Sequence, residues 1–365
     1  MSTLAIFGGN SLLGQHVIND AIDSKKFTAL RVWNYHSKPE TRLESNNNPE
    51  IPIEYFNGFE SMERMVDGVN AVINVHECHD FSVKPDSVEM EEHNVYFTEK
   101  LVDACQKGHV QSLVHLSSIF LQCTSFFPNV NSREGKPLDS KFVPFKPYVN
   151  TKRRAEDLLM NHHSDLQIVI ARCGGIYGEG DVSSAVCDAI RLTDKLGYLP
   201  ILGDRGGVYQ MTYAGNVAHS MIELLSFLEK DVSIRREIVF LRDETPNQDI
   251  YSSTLIPILT SSSRPISSSS LHFFLFFPLL CLLAGLNWIC NTLGYPTRLN
   301  NLPDPVYIFL LLRHWTFFSD FKQRILFSQT TPKFSYDECK IRSAKYYSNL
   351  SSDQIRQMSW QKCFY

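Results

Sequence analysis

The chain has 365 residues, of which 43% are hydrophobic, and its formal net charge is −4 with a pI near 6.3. This length supplies a large core and predicts one large or two smaller domains, and the lack of a basic stripe argues against nucleic acid as a partner. The nine cysteines show neither a C-x-x-C pair nor zinc spacing, which favours a reducing compartment over a disulfide framework. The N-terminus enters an apolar run at once, so we expect no signal peptide.

The first predicted elements are a buried strand over residues 3–7 and a helix over residues 15–21, joined by a glycine-rich turn. The turn has the spacing Gly8-x-x-Ser11-x-x-Gly14, in which a serine replaces the middle glycine. Glycines between a strand and a helix let the backbone approach a pyrophosphate at the helix N-terminus. The alternative is a tight turn that binds nothing, but its place at the start of a βαβ pattern favours a nucleotide site.

Strands and helices continue to alternate through the first half of the chain. Further strands are predicted at 29–33, 53–56, 71–75, 112–116 and 167–171, helices at 60–66, 90–106 and 146–161, and a loop at 46–49. This alternation predicts an α/β fold with a Rossmann-type, doubly wound parallel sheet, in which ligands bind beyond the carboxyl ends of the strands. The glycine turn, Ser118 and the loop at 174–181 all follow strand ends, so we expect them to converge.

The most informative stretch contains Tyr148 and Lys152, which lie four positions apart on one face of the helix at 146–161. A free phenol has a pKa of about 10, so it exchanges protons poorly at neutral pH, and a neighbouring ammonium favours the phenolate. The pair is therefore suited to proton transfer at an alcohol or a carbonyl. By itself this spacing also fits an ordinary solvated helix face, and the nucleotide-binding context favours the catalytic interpretation.

The second half of the chain changes character. Residues 207–223 should lead from a substrate loop into a helix, and the serine-rich residues 260–270 predict a flexible linker. The predicted division is a nucleotide-binding domain, a substrate-binding region that completes the catalytic domain, the linker, a membrane anchor and a C-terminal tail region, at residues 1–185, 186–259, 260–270, 271–293 and 294–365.

The membrane anchor is predicted from a long uncharged run. Residues 271–297 carry no formal charge, and residues 273–290 approach the ~17 to 25 apolar residues that a spanning helix needs. Pro278 and Asn287 weaken this interpretation, so a buried core helix and a membrane-dipping segment compete with it. A second, shorter apolar run follows at 306–312.

Several ordered motifs resemble those of extended short-chain dehydrogenase/reductases, and more narrowly those of the 3β-hydroxysteroid dehydrogenase/isomerase family. The resemblance runs from Thr3 to about Leu259. Besides the glycine turn and the Tyr148/Lys152 pair, the motifs are His93-Asn94-Val95, Leu116-Ser117-Ser118-Ile119 and the segments 172–181, 213–218 and 243–248. The last two separate this group from other extended members better than the tyrosine and lysine do.

The resemblance implies four catalytic residues. Tyr148 would be the general acid/base at the substrate hydroxyl, and Lys152 would hydrogen-bond the nicotinamide ribose and support the phenolate. Ser118 would hydrogen-bond the substrate oxygen, with Ser117 as the alternative, because negative charge develops on that oxygen. Asn94 would position the catalytic helix and a proton-relay water.

The implied cofactor is NAD or NADP, with NAD slightly favoured. The expected binding residues follow the turn and the strand ends and are Gly8, Gly9, Ser11, Leu12, Gly14, Asn34, Asn57, Lys152, Cys173 and Ile176. Asn34 stands where the family usually has an aspartate that binds the adenosine ribose, and His36 and Lys38 follow it. These residues would not repel a 2′-phosphate, so the choice between NAD and NADP stays open.

Three further residues depart from the family pattern after the fourth predicted strand. His76, Cys78 and His79 stand where the family has a small-residue loop, and they look like metal ligands. No partner cluster at zinc spacing accompanies them, so we expect no metal site.

The function implied by the resemblance is NAD(P)-dependent oxidoreduction at the 3β-hydroxyl or 3-keto group of a steroid or sterol, with or without double-bond isomerisation. The alternatives are a reductase of another bulky carbonyl, a decarboxylating sterol dehydrogenase, and a catalytically weak nucleotide-binding member of the family. We expect attachment to the endoplasmic reticulum membrane with the catalytic domain facing the cytoplasm; a cytoplasmic location or a mitochondrial membrane are the alternatives, and a homodimer stays open.

Overall fold

The computed structural model describes residues 2–35, 51–138, 141–203, 205–295, 304–327, 332–358 and 362–364. His36, Lys38 and the loop expected at 46–49 lie outside the described residues. The strands are β1 Ser2–Phe7, β2 Phe27–Asn34, β3 Ile53–Asn57, β4 Ala71–Asn74, β5 Cys78–Asp80, β6 Ser112–Ser118, β7 Asn129–Ser132, β8 Gln167–Cys173, β9 Gly175–Tyr177, β10 Leu199–Leu202, β11 Val208–Tyr209, β12 Met211–Tyr213, β13 Arg236–Leu241, β14 Ile266–Leu271, β15 Trp315–Phe318 and β16 Lys362–Phe364. The helices are α1 Leu12–Ser24, α2 Met62–Val66, α3 Ser87–Glu91, α4 Phe97–Lys107, α5 Lys146–Asn161, α6 Ala185–Leu196, α7 Ala214–Lys230, α8 Ile256–Ser261, α9 Phe273–Thr292, α10 Pro305–Leu312, α11 Phe321–Phe327, α12 Tyr336–Ser348 and α13 Ser352–Gln357.

The central sheet has seven strands in the order β13-β8-β6-β4-β1-β2-β3, and every neighbouring pair is parallel. Side chains alternate across it, so that Leu4 and Ile6 of β1 pack with α1 and α7, whereas Ala5 and Phe7 pack with α2, α4 and α5. Burial on both faces explains why the central strands have continuous apolar runs. The predicted doubly wound α/β fold is confirmed, and its strand order reverses between β1 and β4, where such sheets bind ligands.

The strands β13 and β14 are among those that were not predicted from the sequence. β13 begins with Arg236 and Glu237, so its apolar run is short, and it lies at the edge of the sheet. The serine-rich segment predicted to be a linker contains β14, which pairs with β10 with Ile266 opposite Leu199. The linker interpretation is therefore wrong for residues 266–270, because backbone hydrogen bonds along an edge strand need no particular side chain. The remaining domain boundaries stay predictions.

The apolar run forms α9, which is mostly exposed. Of the helices in the described ranges, α9 alone is long and apolar enough to cross a bilayer, and 17% of its apolar window is buried. A narrow stripe that includes Phe273, Ala284 and Asn287 faces the protein, whereas α10 buries Leu310 and Leu311. The alternative of a buried core helix thus fits α10 better than α9.

Buried polar side chains connect α5, which carries Tyr148 and Lys152, to the sheet. Arg172 of β8 is fully buried and forms an ion pair with Glu156 of α5 at 2.5 Å, and the Ser117 hydroxyl of β6 donates to the same carboxylate at 2.6 Å. Removal of either charge would leave the other buried without an opposite charge, which is costly. α5 is therefore held against β6 and β8 by an interaction that does not tolerate loss of one member.

A second buried polar pair lies under the carboxyl ends of β4 and β6. The Asn74 amide nitrogen lies 3.0 Å from His115 Nδ1, and Asn74 Oδ1 accepts the backbone N–H of His76, which leaves the amide nitrogen as the donor to the imidazole. Burial lowers the pKa of His115 to about 3, with a further decrease from the Lys152 ammonium that the Glu77 carboxylate opposes. His115 is therefore neutral in the folded protein at physiological pH.

We expect His115 to make the fold sensitive to acid. Its pKa is about 6.5 in an unfolded chain and lower in the folded protein, so only the unfolded chain takes up a proton as the pH falls below 6.5. The free energy of unfolding should therefore decrease by up to about 1.4 kcal/mol per pH unit from pH 6.5 toward pH 3, and it is unaffected above this range. His115→Gln should flatten this slope in urea unfolding between pH 7 and 5. The exposed His163→Gln is the matched control, and an unchanged slope in His115→Gln would contradict the assignment.

Candidate active site

The glycine-rich turn lies at the point where the strand order reverses. Gly8 has a φ of +89°, and a Cβ at this position would lie 2.7 Å from the backbone nitrogen of His76 beyond β4. A Cβ on Gly14 would lie 2.0 Å from the carbonyl oxygen of Gly8, so the turn can form only with glycine there. The Ser11 hydroxyl accepts the Gly14 N–H at 2.9 Å and caps α1, whose first turn contains no acidic residue. This helix N-terminus suits a phosphate.

Asn34 supplies a buried amide at the end of β2. Its Oδ1 accepts the backbone N–H of Asn10 at 2.7 Å, while its Nδ2 is buried and has no hydrogen-bond partner among the described residues. A buried donor without a partner is costly, and a ribose hydroxyl would satisfy it. Asn57 lies opposite Asn34 on β3 and is exposed. The residues at this edge therefore fit the adenosine half of a nicotinamide dinucleotide.

The other expected cofactor residues lie nearby. A Cβ on Gly9 would lie 2.2 Å from Val32 of β2, so this glycine allows the turn to pack on the sheet. Leu12, Cys173 and Ile176 line the same cleft.

Tyr148 and Lys152 lie in the first turns of α5, and both are buried, with 3% and 2% of their surface exposed. Lys152 Nζ donates to the carbonyl oxygen of Leu116 at 2.8 Å and to Glu77 Oε2 at 3.0 Å. The Tyr148 hydroxyl donates to the same Glu77 oxygen at 3.2 Å. A carboxylate that the motifs did not predict thus contacts both members of the pair.

The electrostatics of this pair differ from the sequence-based expectation. Burial raises the pKa of Tyr148 well above its usual value, the Glu77 carboxylate raises it further, and a hydrogen bond with Ser118 opposes the rise. Burial would also raise the pKa of Glu77, but Lys152 and His79 hold it well below its usual range. The pKa of Tyr148 is therefore raised in this structure, whereas the Tyr148/Lys152 spacing alone favours the phenolate, and Lys152 is paired with Glu77.

The two serines at the end of β6 have different partners. The Ser117 hydroxyl donates to Glu156, whereas Ser118 accepts the backbone N–H of Phe120 at 3.2 Å and hydrogen-bonds the phenol of Tyr148. This arrangement places Ser118 beside Tyr148, whereas Ser117 is bound to Glu156 of the ion pair between α5 and β8.

Asn94 connects the segment after β4 to α5. Its amide nitrogen donates to the carbonyl oxygen of Cys78 at 2.8 Å and to the Thr151 hydroxyl at 3.0 Å, and its oxygen accepts the Cys78 N–H at 2.9 Å. Asn94 lies in a π-helical turn, Glu92–Tyr96, a local irregularity that is frequent at functional sites. The helix-positioning part of its expected role matches these contacts, and the proton-relay water stays a prediction.

One cleft brings the glycine turn, Ser118, Tyr148 and the loop after β8 together, as the positions of the strand ends predict. Its far wall is aromatic and includes Phe81, Phe120, Tyr209 and Tyr307. Sequence analysis missed Glu77, Phe81 and Tyr307. The only available signal for Glu77 was its place in a segment where the family has small residues, and Tyr307 lies in the region assigned to the C-terminal tail.

The residues considered as metal ligands have separate partners. His76 Nε2 lies 3.0 Å from His93 Nδ1, Cys78 belongs to β5, and the His79 ring stacks on Phe81. Within the described ranges, no group of three or more histidine, cysteine or acidic side chains is arranged to hold a metal ion.

Comparison with known proteins assigns the family. The model of the 3-beta hydroxysteroid dehydrogenase/isomerase family matches residues 5–265. The decarboxylating sterol-4-alpha-carboxylate 3-dehydrogenase of Candida albicans is 27% identical over 256 residues, which cover 67% of this chain and 71% of that protein. The 3 beta-hydroxysteroid dehydrogenase/Delta 5-->4-isomerase of Monkeypox virus is 24% identical over 265 residues, or 68% of this chain and 73% of that protein.

Solved structures agree on the fold. UDP-glucuronic acid 4-epimerase from Bacillus cereus, in complex with UDP-glucuronic acid and NAD, superposes with a TM-score of 0.68 at 15% identity and covers 96% of this chain and 100% of that one. UDP-glucose 4-epimerase from Brucella ovis, in complex with NAD, has a TM-score of 0.66 at 16% identity, with 95% of this chain and 99% of that chain covered. On the strength of the family match, this chain belongs to the 3-beta hydroxysteroid dehydrogenase/isomerase family.

Proposed function

We propose that this chain is an NAD(P)-dependent oxidoreductase that acts on the 3-hydroxyl or 3-keto group of a sterol. The observation that carries this proposal is the buried set of Tyr148, Ser118 and Lys152, which lies between a glycine-turn nucleotide cleft and an aromatic wall. The names of the sterol dehydrogenases and hydroxysteroid dehydrogenases among its relatives support the substrate class.

The chain's own residues handle the proton and the orientation of the substrate. The bound nicotinamide cofactor would accept or donate the hydride. Tyr148 exchanges a proton with the substrate oxygen, and the Ser118 hydroxyl donates a hydrogen bond to that oxygen. Asn94 and the Arg172–Glu156 ion pair keep α5 in place, so that Tyr148 stays beside Ser118.

A decarboxylating sterol dehydrogenase is the second candidate, because relatives with that name match two thirds of the chain. A 4-carboxylate substrate would favour a cationic group near the sterol. Of the residues that the structure describes, the cleft lining contains the acids Glu77 and Asp181 and neither lysine nor arginine. This lining favours an uncharged sterol as the substrate.

We expect Tyr148→Phe to reduce turnover by about 100- to 10,000-fold, because it removes the general acid/base. Binding of the cofactor should be nearly unchanged, since the hydroxyl that is removed hydrogen-bonds Glu77 and Ser118, which are groups of the protein itself. Nicotinamide absorbance with 3β-hydroxysteroids measures the rate, and titration of the intrinsic fluorescence measures binding. Tyr96→Phe on a nearby exposed site is the control, and full activity of Tyr148→Phe would exclude the catalytic assignment.

Asn34→Asp should shift cofactor preference toward NAD by roughly tenfold, equivalent to about 1.4 kcal/mol, because a carboxylate at this position repels the 2′-phosphate of NADP. The wild type should bind both cofactors with little preference. Titration of NAD and NADP into both proteins tests this, with Asn70→Asp, at the opposite end of the sheet, as the control for net charge. A wild type that already excludes NADP would show that a residue other than Asn34 discriminates between the two cofactors.

We also propose that α9 attaches the protein to a membrane, and that this membrane is the endoplasmic reticulum with the catalytic domain toward the cytoplasm. α9 has 20 residues, which at about 1.5 Å per residue approaches the ~30 Å hydrocarbon thickness. Large apolar side chains are exposed along its length, among them Phe274, Leu275, Leu279, Leu282 and Leu286. Exposed apolar surface of this extent is unusual on a soluble protein and favours contact with lipid.

The full chain should therefore sediment with membranes and need detergent for release. The triple variant Leu275→Glu, Leu279→Glu and Leu282→Glu changes only exposed side chains of α9, so it should increase the soluble fraction while Phe273 and Ala284 keep their packing. The control places glutamate at Leu158, Leu196 and Val232, which are exposed elsewhere. A wild type that is wholly soluble at low salt without detergent would contradict the proposal.

A further inference from the structure

Glu77 has no role in the family motifs, yet it contacts both central residues of the site. It follows β4, its side chain is largely buried, and its Oε2 accepts hydrogen bonds from Lys152 at 3.0 Å and from Tyr148 at 3.2 Å. Its other oxygen lies 3.7 Å from His79 Nδ1. A carboxylate at this position is the counter-ion of a buried ammonium.

Glu77 also stands between Lys152 and the cleft. Of the residues that the structure describes, the cleft lining includes Glu77 and Tyr148 but not Lys152. The ammonium has three protons, one of which goes to the Leu116 carbonyl and one to Glu77. The side of Lys152 that faces the cleft is therefore covered by a carboxylate.

This arrangement conflicts with the role that the proposed function gives to Lys152. A ribose hydroxyl that hydrogen-bonds the ammonium is a neutral acceptor, whereas the Glu77 carboxylate is a charged one and the stronger partner. Both acceptors approach from the cleft. A ribose hydroxyl that approaches Lys152 from the cleft therefore competes with Glu77 for that side of the ammonium.

We propose that Glu77 is an internal competitor of the nicotinamide cofactor, which stabilises the empty site by pairing with Lys152 and weakens cofactor binding by the same contact. This inference rests on the proposed function, because it assumes that Lys152 receives the nicotinamide ribose. The opposite arrangement, in which Glu77 keeps its place and accepts hydrogen bonds from the ribose hydroxyls, predicts that Glu77 strengthens binding. The two arrangements therefore predict opposite changes in cofactor affinity when Glu77 is substituted.

Glu77→Gln keeps the size of the side chain and an acceptor oxygen but removes the charge. We expect it to bind NAD about tenfold more tightly than the wild type, since a charged hydrogen bond no longer has to be broken. Its thermal unfolding without cofactor should begin at a lower temperature, because Lys152 is left buried without a counter-ion. Isothermal titration calorimetry with NAD and a thermal melt of the cofactor-free protein measure the two effects.

Fragments of the cofactor show which part of NAD is responsible for the gain in affinity. ADP-ribose carries the second ribose and should gain affinity in Glu77→Gln as NAD does, whereas ADP lacks this ribose and should bind both proteins equally. Glu91→Gln removes an exposed carboxylate that pairs with Arg154, so it controls for the change in net charge and should leave all three affinities unchanged. An equal gain for ADP in Glu77→Gln would mean a general charge effect and would overturn the proposal.

A second variant keeps the proposal testable if Glu77→Gln does not fold. Glu77→Asp keeps the charge but shortens the side chain, so that it cannot reach both Tyr148 and Lys152, and we expect a smaller gain in NAD affinity. Unchanged or weaker NAD binding in the folded variants would overturn the role of Glu77 while leaving sterol oxidation by the wild type intact. Failure of both the wild type and the variants to bind either NAD or NADP would instead refute the proposed function, and the role of Glu77 with it.

Discussion

The active site is organised by the need to neutralise a buried ammonium. Lys152 is 2% exposed, and a charge at such a position destabilises the fold unless it is paired and hydrogen-bonded. The Leu116 carbonyl and the Glu77 carboxylate meet this need. Burial raises the pKa of Tyr148, and the same carboxylate raises it further. The pKa of the Tyr148 phenol thus depends on Glu77, a residue outside the recognisable motif.

One turn after Lys152, α5 carries a second buried charge that is also paired. Tyr148, Lys152 and Glu156 are spaced by four residues, and all three are buried on the face of α5 that meets the sheet. Lys152 is fixed to β6 through the Leu116 carbonyl, and Glu156 is fixed to β6 and β8 through Ser117 and Arg172. Helical spacing therefore positions both the Tyr148/Lys152 pair and the ion pair that holds this helix against the strands.

The sequence predicted those parts of the fold in which burial imposes a pattern. β1, β4, β6 and β8 are buried on both faces and appear as apolar runs, and the strand ends correctly located the cleft. β14 was missed because backbone pairing by a serine-rich strand leaves no side-chain period. Glu77 lies 75 residues from Lys152 in the chain, and a contact at that separation has no local signature. Glu156 could have been predicted by continuing the four-residue spacing of the tyrosine and the lysine.

The polar site and the exposed helix α9 are joined by apolar contacts. Phe81 packs against Tyr148 at 5.3 Å between ring centroids and stacks on Tyr307 of α10 at 5.9 Å. Farther along α10, Phe309 contacts Phe273 of α9 at 6.3 Å.

This continuity gives the proposed sterol a preferred orientation. A sterol that entered from lipid beside α9 would meet apolar side chains until its 3-oxygen reached Tyr148 and Ser118. Because an oxygen buried without a hydrogen bond is costly, and because the aromatic wall offers few partners, the 3-oxygen end would point toward the catalytic pair. The apolar wall would thus disfavour any orientation that buries the 3-oxygen against it. Tyr148 and Ser118, at the polar end of the cleft, would then act on this oxygen.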